Sequence, residues 1–92
     1  MKYPIDVLNE VQFVGDDQMV TSDCFAITFK RVEGANPVFI NGFPLGDGES
    51  LQFEQTENHL DRTQYQIRFG TGGTGNRCYV FRTVPVNDYF RD

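Results

Sequence analysis

Apolar and polar residues alternate one for one through several short stretches of this chain, and that pattern restricts its fold more than any other feature. Within residues 63–69, the aromatic or aliphatic residues Tyr65, Ile67 and Phe69 alternate with the polar residues Gln64, Gln66 and Arg68. A period of two places successive side chains on opposite faces of an extended strand, whereas a helix needs a period near 3.6. The chain is therefore expected to be mainly β.

Turn-forming residues divide the alternating stretches at short intervals. Glycine, asparagine, aspartate or proline cluster at residues 15–17, 34–37, 46–48 and 70–76. Ninety-two residues leave room for one domain. Short strands with turns at this spacing are typical of β-sandwiches. We predict a single antiparallel β-sandwich over residues 1–92, immunoglobulin-like or jelly-roll, with about seven strands and a C-terminal tail at 85–92.

Three stretches allow more specific predictions. Residues 38–40 are apolar and stop at Asn41-Gly42, a pair suited to the positive backbone angles of a tight hairpin turn. Residues 78–83 are apolar on both faces, which predicts a central strand. Residues 4–14 fit either a strand or a helical face, and we favour the strand.

The last two alternating stretches also predict a pairing. If residues 63–69 fold back as a hairpin on 77–83 with Phe69 opposite Arg77, aromatic and aliphatic residues meet across the strands. Tyr65 then lies opposite Phe81, and Ile67 opposite Tyr79. In that register Gln64, Gln66, Arg68 and Arg82 share the outward face of the hairpin.

No stretch carries a recognisable catalytic signature. Residues 70–75 match G-x-G-x-x-G, but the next residues are strand-like, and a phosphate-binding loop must lead into a helix. We predict a hairpin loop there. His59 is the sole histidine, and neither Ser22 nor Ser50 lies in a nucleophile-elbow context. We expect a protein that is not an enzyme and has no cofactor.

Metal sites and disulfides find little support in the sequence. One histidine excludes multi-histidine metal sites. Acids cluster in two loops, at Asp16, Asp17 and Asp23 and at Asp47 and Glu49, without EF-hand spacing, so we expect no metal site. Two cysteines, Cys24 and Cys78, are either buried free thiols, which we favour, or a disulfide.

Charge is distributed unevenly along the chain. Residues 1–61 hold eleven acids and three bases, net −8, whereas residues 62–92 hold five arginines and two acids, net +3. Arginine is well suited to contacts at protein interfaces. We therefore expect a protein partner to bind Gln64, Gln66, Arg68 and Arg82, with Tyr89 and Phe90 of the tail as further anchors; a solvated polar face is the alternative. The overall charge of −5 argues against nucleic acid, and we expect neither membrane nor small-molecule ligand.

Residues 38–51, followed by residues 65–69, form a pattern of strands and turns found in a known group of proteins. The sequences are Val38-Phe39-Ile40-Asn41-Gly42-Phe43-Pro44-Leu45-Gly46-Asp47-Gly48-Glu49-Ser50-Leu51 and Tyr65-Gln66-Ile67-Arg68-Phe69. The pattern is similar to that of small β-sandwich virion proteins of tailed bacteriophages, such as capsid decoration or auxiliary proteins. The resemblance covers roughly residues 38–83 and transfers no catalytic or binding residue. It implies a role in binding the outer surface of an assembled shell.

These observations lead to one expected function and one alternative. We expect a non-enzymatic structural protein, a bacteriophage virion component that binds the major capsid protein or another virion protein. With no export signal at its N-terminus, it would be assembled into virions in the host cytoplasm. The alternative is a carbohydrate- or peptide-binding β-sandwich module.

Overall fold

Eight β-strands make up the regular structure of the chain in a computed structural model, which describes residues 7–56 and 59–85. The strands are β1 Val7–Val14, β2 Gln18–Thr21, β3 Ala26–Arg31, β4 Val38–Ile40, β5 Phe43–Leu45, β6 Ser50–Glu54, β7 Gln64–Phe69 and β8 Cys78–Pro85. The described residues contain no helix. The mainly β prediction is confirmed, with eight strands in place of about seven.

The strands form two antiparallel sheets of four. Sheet A has the order β1-β8-β3-β6, and sheet B has the order β2-β7-β4-β5. The strands therefore pair first with last: β1 with β8, β2 with β7, β3 with β6 and β4 with β5. This is the arrangement of one long hairpin rolled up so that successive pairs fall in alternate sheets, and it is a jelly roll. Of the two sandwich types expected, the jelly roll is the one observed.

Three local predictions are confirmed. The ambiguous stretch at residues 4–14 forms a strand, β1, over the part that the structure describes. Strand β8 lies between β1 and β3, as its apolar character on both faces indicated. Asn41 and Gly42 have φ values of 50° and 84° and join β4 to β5, so they form the two-residue turn whose central residues both have positive φ.

The core lies between the two sheets and is made by alternate residues of their strands. Sheet A contributes Val14, Ile27, Phe29, Cys78 and Val80, and sheet B contributes Val20, Val38, Ile40, Leu45, Tyr65 and Ile67. The rings of Phe29, Phe53 and Tyr65 meet across the interior with centroid separations of 5.0 to 6.4 Å. The two sheets are therefore joined by aromatic contacts as well as by aliphatic packing.

The predicted hairpin of residues 63–69 with 77–83 is wrong. Strand β7 pairs with β2 and β4 in sheet B, whereas β8 pairs with β1 and β3 in sheet A. Tyr65 and Ile67 consequently face the core, while Tyr79 and Phe81 face solvent on the outer side of sheet A. The physical reason is that the backbone groups of β8 are taken up on both sides by β1 and β3, and those of β7 by β2 and β4, so neither strand has an edge left for the other.

The glycine-rich segment after β7 crosses between the sheets instead of turning a hairpin. It is held against the β3–β4 connection by two hydrogen bonds. The Gly73 backbone amide donates to Asn36 Oδ1 at 2.8 Å, and the Asn36 backbone amide donates to the Gly75 carbonyl oxygen at 2.9 Å. A Cβ on Gly73 would lie 2.4 Å from the carbonyl carbon and oxygen of Ala35, closer than atoms can approach. Glycine is therefore required at residue 73 by the close contact of two backbones.

Candidate docking surface

The four polar residues expected to share one face are divided between the two sheets. Gln64, Gln66 and Arg68 lie on the outer face of β7 in sheet B, because Tyr65 and Ile67 between them point into the core. Arg82 lies in sheet A, on the same face as buried Val80 and beside Ile27 of β3. The prediction of a common face is wrong because it depended on the hairpin between β7 and β8. Tyr89 and Phe90 lie outside the described residues.

Arg82 is held at the open end of the sandwich. Its Nε donates a hydrogen bond to the Thr21 carbonyl oxygen at 3.0 Å, which joins β8 of sheet A to β2 of sheet B. It lines an open groove of about 550 Å³ together with Arg62, Glu10 and Asp23, and with apolar residues that include Val84. Because its two arginines are matched by two acids, the groove has no net preference for an anion or a cation.

Among the described residues, a group of exposed apolar side chains lies side by side on the outer face of sheet A. We call it the outer aromatic patch: Val11, Phe13, Tyr79 and Phe81. Their exposed fractions are 64, 53, 38 and 38 % in that order. Val11 lies opposite Phe81, and Phe13 opposite Tyr79, in the β1–β8 register. Contiguous apolar surface of this kind on a small protein marks sites of interaction.

Ring contacts hold the outer aromatic patch in one arrangement. Phe13 and Tyr79 meet edge to face with centroids 5.4 Å apart, and Tyr79 and Phe81 lie 6.3 Å apart. Rings that already pack against each other lose little conformational freedom when a partner covers them. The patch is therefore a preformed surface on regular strands and needs no loop to be ordered first.

A buried carboxylate joins the loops at one end of the sandwich. Asp61 is 5 % exposed and pairs with Cys24 in an isolated bridge, with backbone bonds of 2.7 and 3.2 Å. The Tyr65 hydroxyl donates to Asp61 Oδ2 at 2.5 Å, and the Thr63 amide donates to Oδ1 at 2.8 Å. The Ser22 hydroxyl lies 2.6 Å from the Asp61 backbone oxygen and 3.1 Å from Oδ1.

These contacts set the ionisation of the carboxylate and of its strongest donor. Burial alone would raise the pKa of the Asp61 carboxyl, but the hydrogen bonds from Tyr65, Thr63 and Ser22 outweigh burial and hold that pKa below its ordinary value. Burial and the bond to Asp61 raise the pKa of Tyr65 to about 12. The cluster therefore keeps a charged acceptor and neutral donors at neutral pH, an arrangement that fixes the loops in place.

The candidate catalytic residues Ser22, His59 and Asp61 do not meet at one accessible site. His59 is exposed, and the carboxylate of Asp61 is directed to Tyr65, Thr63 and Ser22. The Ser22 hydroxyl is directed to backbone oxygens of Asp61 and Thr63 at 2.6 and 2.8 Å. A serine nucleophile needs an adjacent base to take its proton. The Asp61 carboxylate lies 3.1 Å from Ser22 Oγ, but it also accepts hydrogen bonds from Tyr65 and Thr63 that lower its pKa, and Ser22 is only 2 % exposed.

The acidic loops hold the backbone of neighbouring loops and strands. Asp17, Asp47 and Glu49 accept hydrogen bonds from the amides of Phe69, Gly34 and Gly46 at 2.9, 2.8 and 2.7 Å. Within residues 7–56 and 59–85, no three His, Cys, Asp or Glu side chains form a group that could hold a metal ion. These loop acids therefore have a structural use as acceptors.

Both cysteines are buried in the core as free thiols. Burial, with a smaller contribution from the Asp61 charge, raises the pKa of Cys24 to about 11. Burial raises the pKa of Cys78 to about 11 as well. Thiols of this kind behave as small apolar side chains, since the reactive thiolate is suppressed at neutral pH.

The outer aromatic patch was missed at the sequence level, although the sequence contains a signal for it. Residues 11, 13, 79 and 81 are apolar, and so are their neighbours at 14, 78 and 80, so alternation alone does not say which set faces out. The order of the strands in the two sheets determines which set faces solvent.

No helix among the described residues is long and apolar enough to cross a membrane. No protein-family model, curated protein or solved structure matches the chain.

Proposed function

We propose that this chain is a non-enzymatic structural protein that docks on a protein assembly through the outer aromatic patch, and that the assembly is a bacteriophage capsid shell. The observation that carries docking is the patch itself, with three aromatic rings and a valine exposed side by side on regular strands. A few residues supply most of the binding energy in protein interfaces, and aromatic side chains are enriched at the centres of those interfaces. Covering them on a partner would stabilise the assembled state by mass action.

The remaining exposed groups fit a binding role better than a catalytic one. The one hydroxyl and carboxylate described in contact, those of Ser22 and Asp61, are buried and bonded to backbone groups, His59 is exposed, and the groove beside Arg82 has balanced charges. Gln64, Gln66 and Arg68 on sheet B remain candidates for a second, polar contact with a neighbouring subunit. Two contact faces on opposite sheets would suit a small protein that bridges neighbouring capsomers.

Two independent features support the virion part of the proposal. The jelly roll is common among viral capsid proteins, although it also occurs in lectins and cupins, and a fold alone does not set a function. The pattern of residues 38–51 and 65–69 resembles that of phage decoration and auxiliary proteins. Neither feature names the partner residues, so the docking face is taken from the exposed patch alone.

The test is co-sedimentation with purified particles of the phage that encodes the chain, prepared without it. Wild type should pellet with particles, and Phe81→Ser should weaken binding by about 30-fold, since losing a central aromatic contact costs about 2 kcal/mol. Phe43→Ser is the matched control, because Phe43 is 55 % exposed but lies on β5 of sheet B, which β4 separates from β7. Wild type that stays in the supernatant would overturn the capsid assignment. Equal binding by Phe81→Ser and Phe43→Ser would overturn the docking face.

A carbohydrate- or peptide-binding module is the second candidate, since exposed aromatic rings such as Tyr79 also serve as platforms for such ligands. Titration with soluble oligosaccharides and peptides separates the two functions. The binding module would be favoured over the virion protein if the chain binds such a ligand saturably, loses that binding in Phe81→Ser, and does not pellet with particles.

A further inference from the structure

Strand β1 is the long edge of sheet A, and no other strand within residues 7–56 and 59–85 pairs with its outer side. It spans eight residues, contains no lysine or proline, and its single charge is Glu10. The other three edge strands are shorter: β6 has five residues and ends in Glu54, β2 has four, and β5 has three and contains Pro44. Natural sheets protect their edges with short strands, charges and prolines, because an open edge pairs with any available strand. Because the other three edges carry such protection and β1 does not, the β1 edge is the one suited to pairing with a further strand.

The direction of the backbone groups in β8 shows which backbone groups of β1 are not bonded to β8. The carbonyl oxygens of Arg77 and Thr83 accept bonds from the amides of Val32 and Phe25, so odd-numbered residues of β8 point their backbone groups toward β3. Even-numbered residues of β8 therefore bond to β1, in register with the even-numbered residues of that strand. The amides and carbonyls of Val7, Asn9, Val11 and Phe13 are left pointing away from the sheet.

A second copy of β1 complements this edge in one register. An antiparallel pair with its two-fold axis at Val11 sets Val11 against Val11 and Asn9 against Phe13, and these pairs form about six hydrogen bonds. Glu10 then lies beside Gln12, which can donate a hydrogen bond to it. An axis at Glu10 would oppose two carboxylates, and an axis at Asn9 or Gln12 would set Glu10 against Leu8 or Val14.

We propose that two copies of this chain form a two-fold dimer in which their β1 strands pair antiparallel about Val11, so that two copies of sheet A become one eight-stranded sheet. Adjacent strands of one sheet keep matching residues on the same face. The two outer aromatic patches therefore lie side by side on one surface of the dimer. A strand-edge contact is smaller than a standard interface of about 1,600 Å², so we expect a dissociation constant in roughly the micromolar range. The dimer does not depend on capsid binding.

The test is sedimentation equilibrium of the purified chain over roughly 1 µM to 1 mM, which brackets that range. Wild type should shift from monomer to dimer. Val11→Lys and Val11→Glu should each stay monomeric through like-charge repulsion at the axis, and an equimolar mixture should regain the dimer. Met19→Lys, with a similarly exposed side chain on sheet B, should dimerise like wild type.

Each outcome bears on the dimer separately from docking, because the measurement contains no particles. A monomeric wild type overturns the dimer, and so does a Val11→Lys variant that dimerises normally. A mixture that stays monomeric while wild type dimerises overturns the register about Val11. A separate pelleting assay with particles checks the other occupant of the edge. If wild type is monomeric and Asn9→Pro, which removes an edge amide outside the outer aromatic patch, loses particle binding, the edge takes a strand of the capsid partner and the second copy is overturned.

Discussion

The Tyr65 hydroxyl should be among the most stabilising single polar groups in the described part of the molecule. Its hydrogen bond to Asp61 Oδ2 is 2.5 Å long. Tyr65 and Asp61 are only 4 and 5 % exposed, so water cannot take the place of the hydroxyl as a donor if the hydroxyl is removed. Tyr65→Phe keeps the ring, and with it the contacts to Phe29 and Phe53. It leaves one oxygen of a buried carboxylate without its donor.

A hydrogen bond to a charged group contributes about 1.5–3 kcal/mol to stability. For a domain of this size, a loss of about 2 kcal/mol lowers the melting temperature by about 8–16 °C. Tyr79→Phe is the matched control, because Tyr79 is 38 % exposed on the outer face of sheet A. We expect its change in unfolding free energy to stay within about 0.5 kcal/mol.

The stability lost in Tyr65→Phe should become smaller as the pH falls. Because the folded-state pKa of Asp61 is lowered, its charged form stabilises the fold above the unfolded-state pKa of about 3.9, and this contribution is lost as the pH falls through the folded-state pKa. Tyr65→Phe removes one cause of the lowering, so the gap between wild type and variant should narrow in acid.

Urea unfolding followed by circular dichroism at neutral pH and below pH about 3 measures both effects. If Tyr65→Phe costs no more than Tyr79→Phe at neutral pH, the Asp61 hydrogen bond does not stabilise the fold as argued. If the gap is the same in acid, the carboxylate charge is not its cause.

Two further outcomes follow from the core and the crossing segment. Gly73→Ala should lower the melting temperature strongly, by the equivalent of about 2 kcal/mol or more, because its methyl group would overlap the Ala35 carbonyl; wild-type thermal stability in this variant would show that the segment moves freely. Cys24 and Cys78 should resist iodoacetamide at pH 8 and react fully in urea, because burial holds the pKa of each thiol at about 11; rapid labelling of the folded chain, followed by mass spectrometry, would contradict their burial.

Local features of this fold could be predicted from the sequence because their causes are local. Asn41 and Gly42 tolerate positive φ by themselves, so the turn between β4 and β5 follows from two adjacent residues. The alternation of Tyr65 and Ile67 with polar neighbours likewise determines which side of β7 is buried, whatever its partner strands are.

The partners of β7 and β8 could not be predicted in the same way, since pairing depends on residues far apart in the chain. Val7 pairs with Pro85, and β8 has apolar residues on both faces, so the sequence near β8 does not choose between Val80 and Phe81 for the core. The predicted partner-binding face was wrong for this reason, because Arg68 and Arg82 belong to one surface only if β7 and β8 are neighbours.

The position of β8 within sheet A also determines when that sheet can form. Of the eight strands, β8 is the last to leave the ribosome, yet it lies between β1 and β3. Until it emerges, β1 has no neighbour in sheet A, and β3 can pair only with β6. A nascent chain that ends before residue 78 therefore exposes the apolar residues of β1 during synthesis. The sandwich should close in one late step, which makes this chain a candidate substrate for chaperones that bind extended apolar segments.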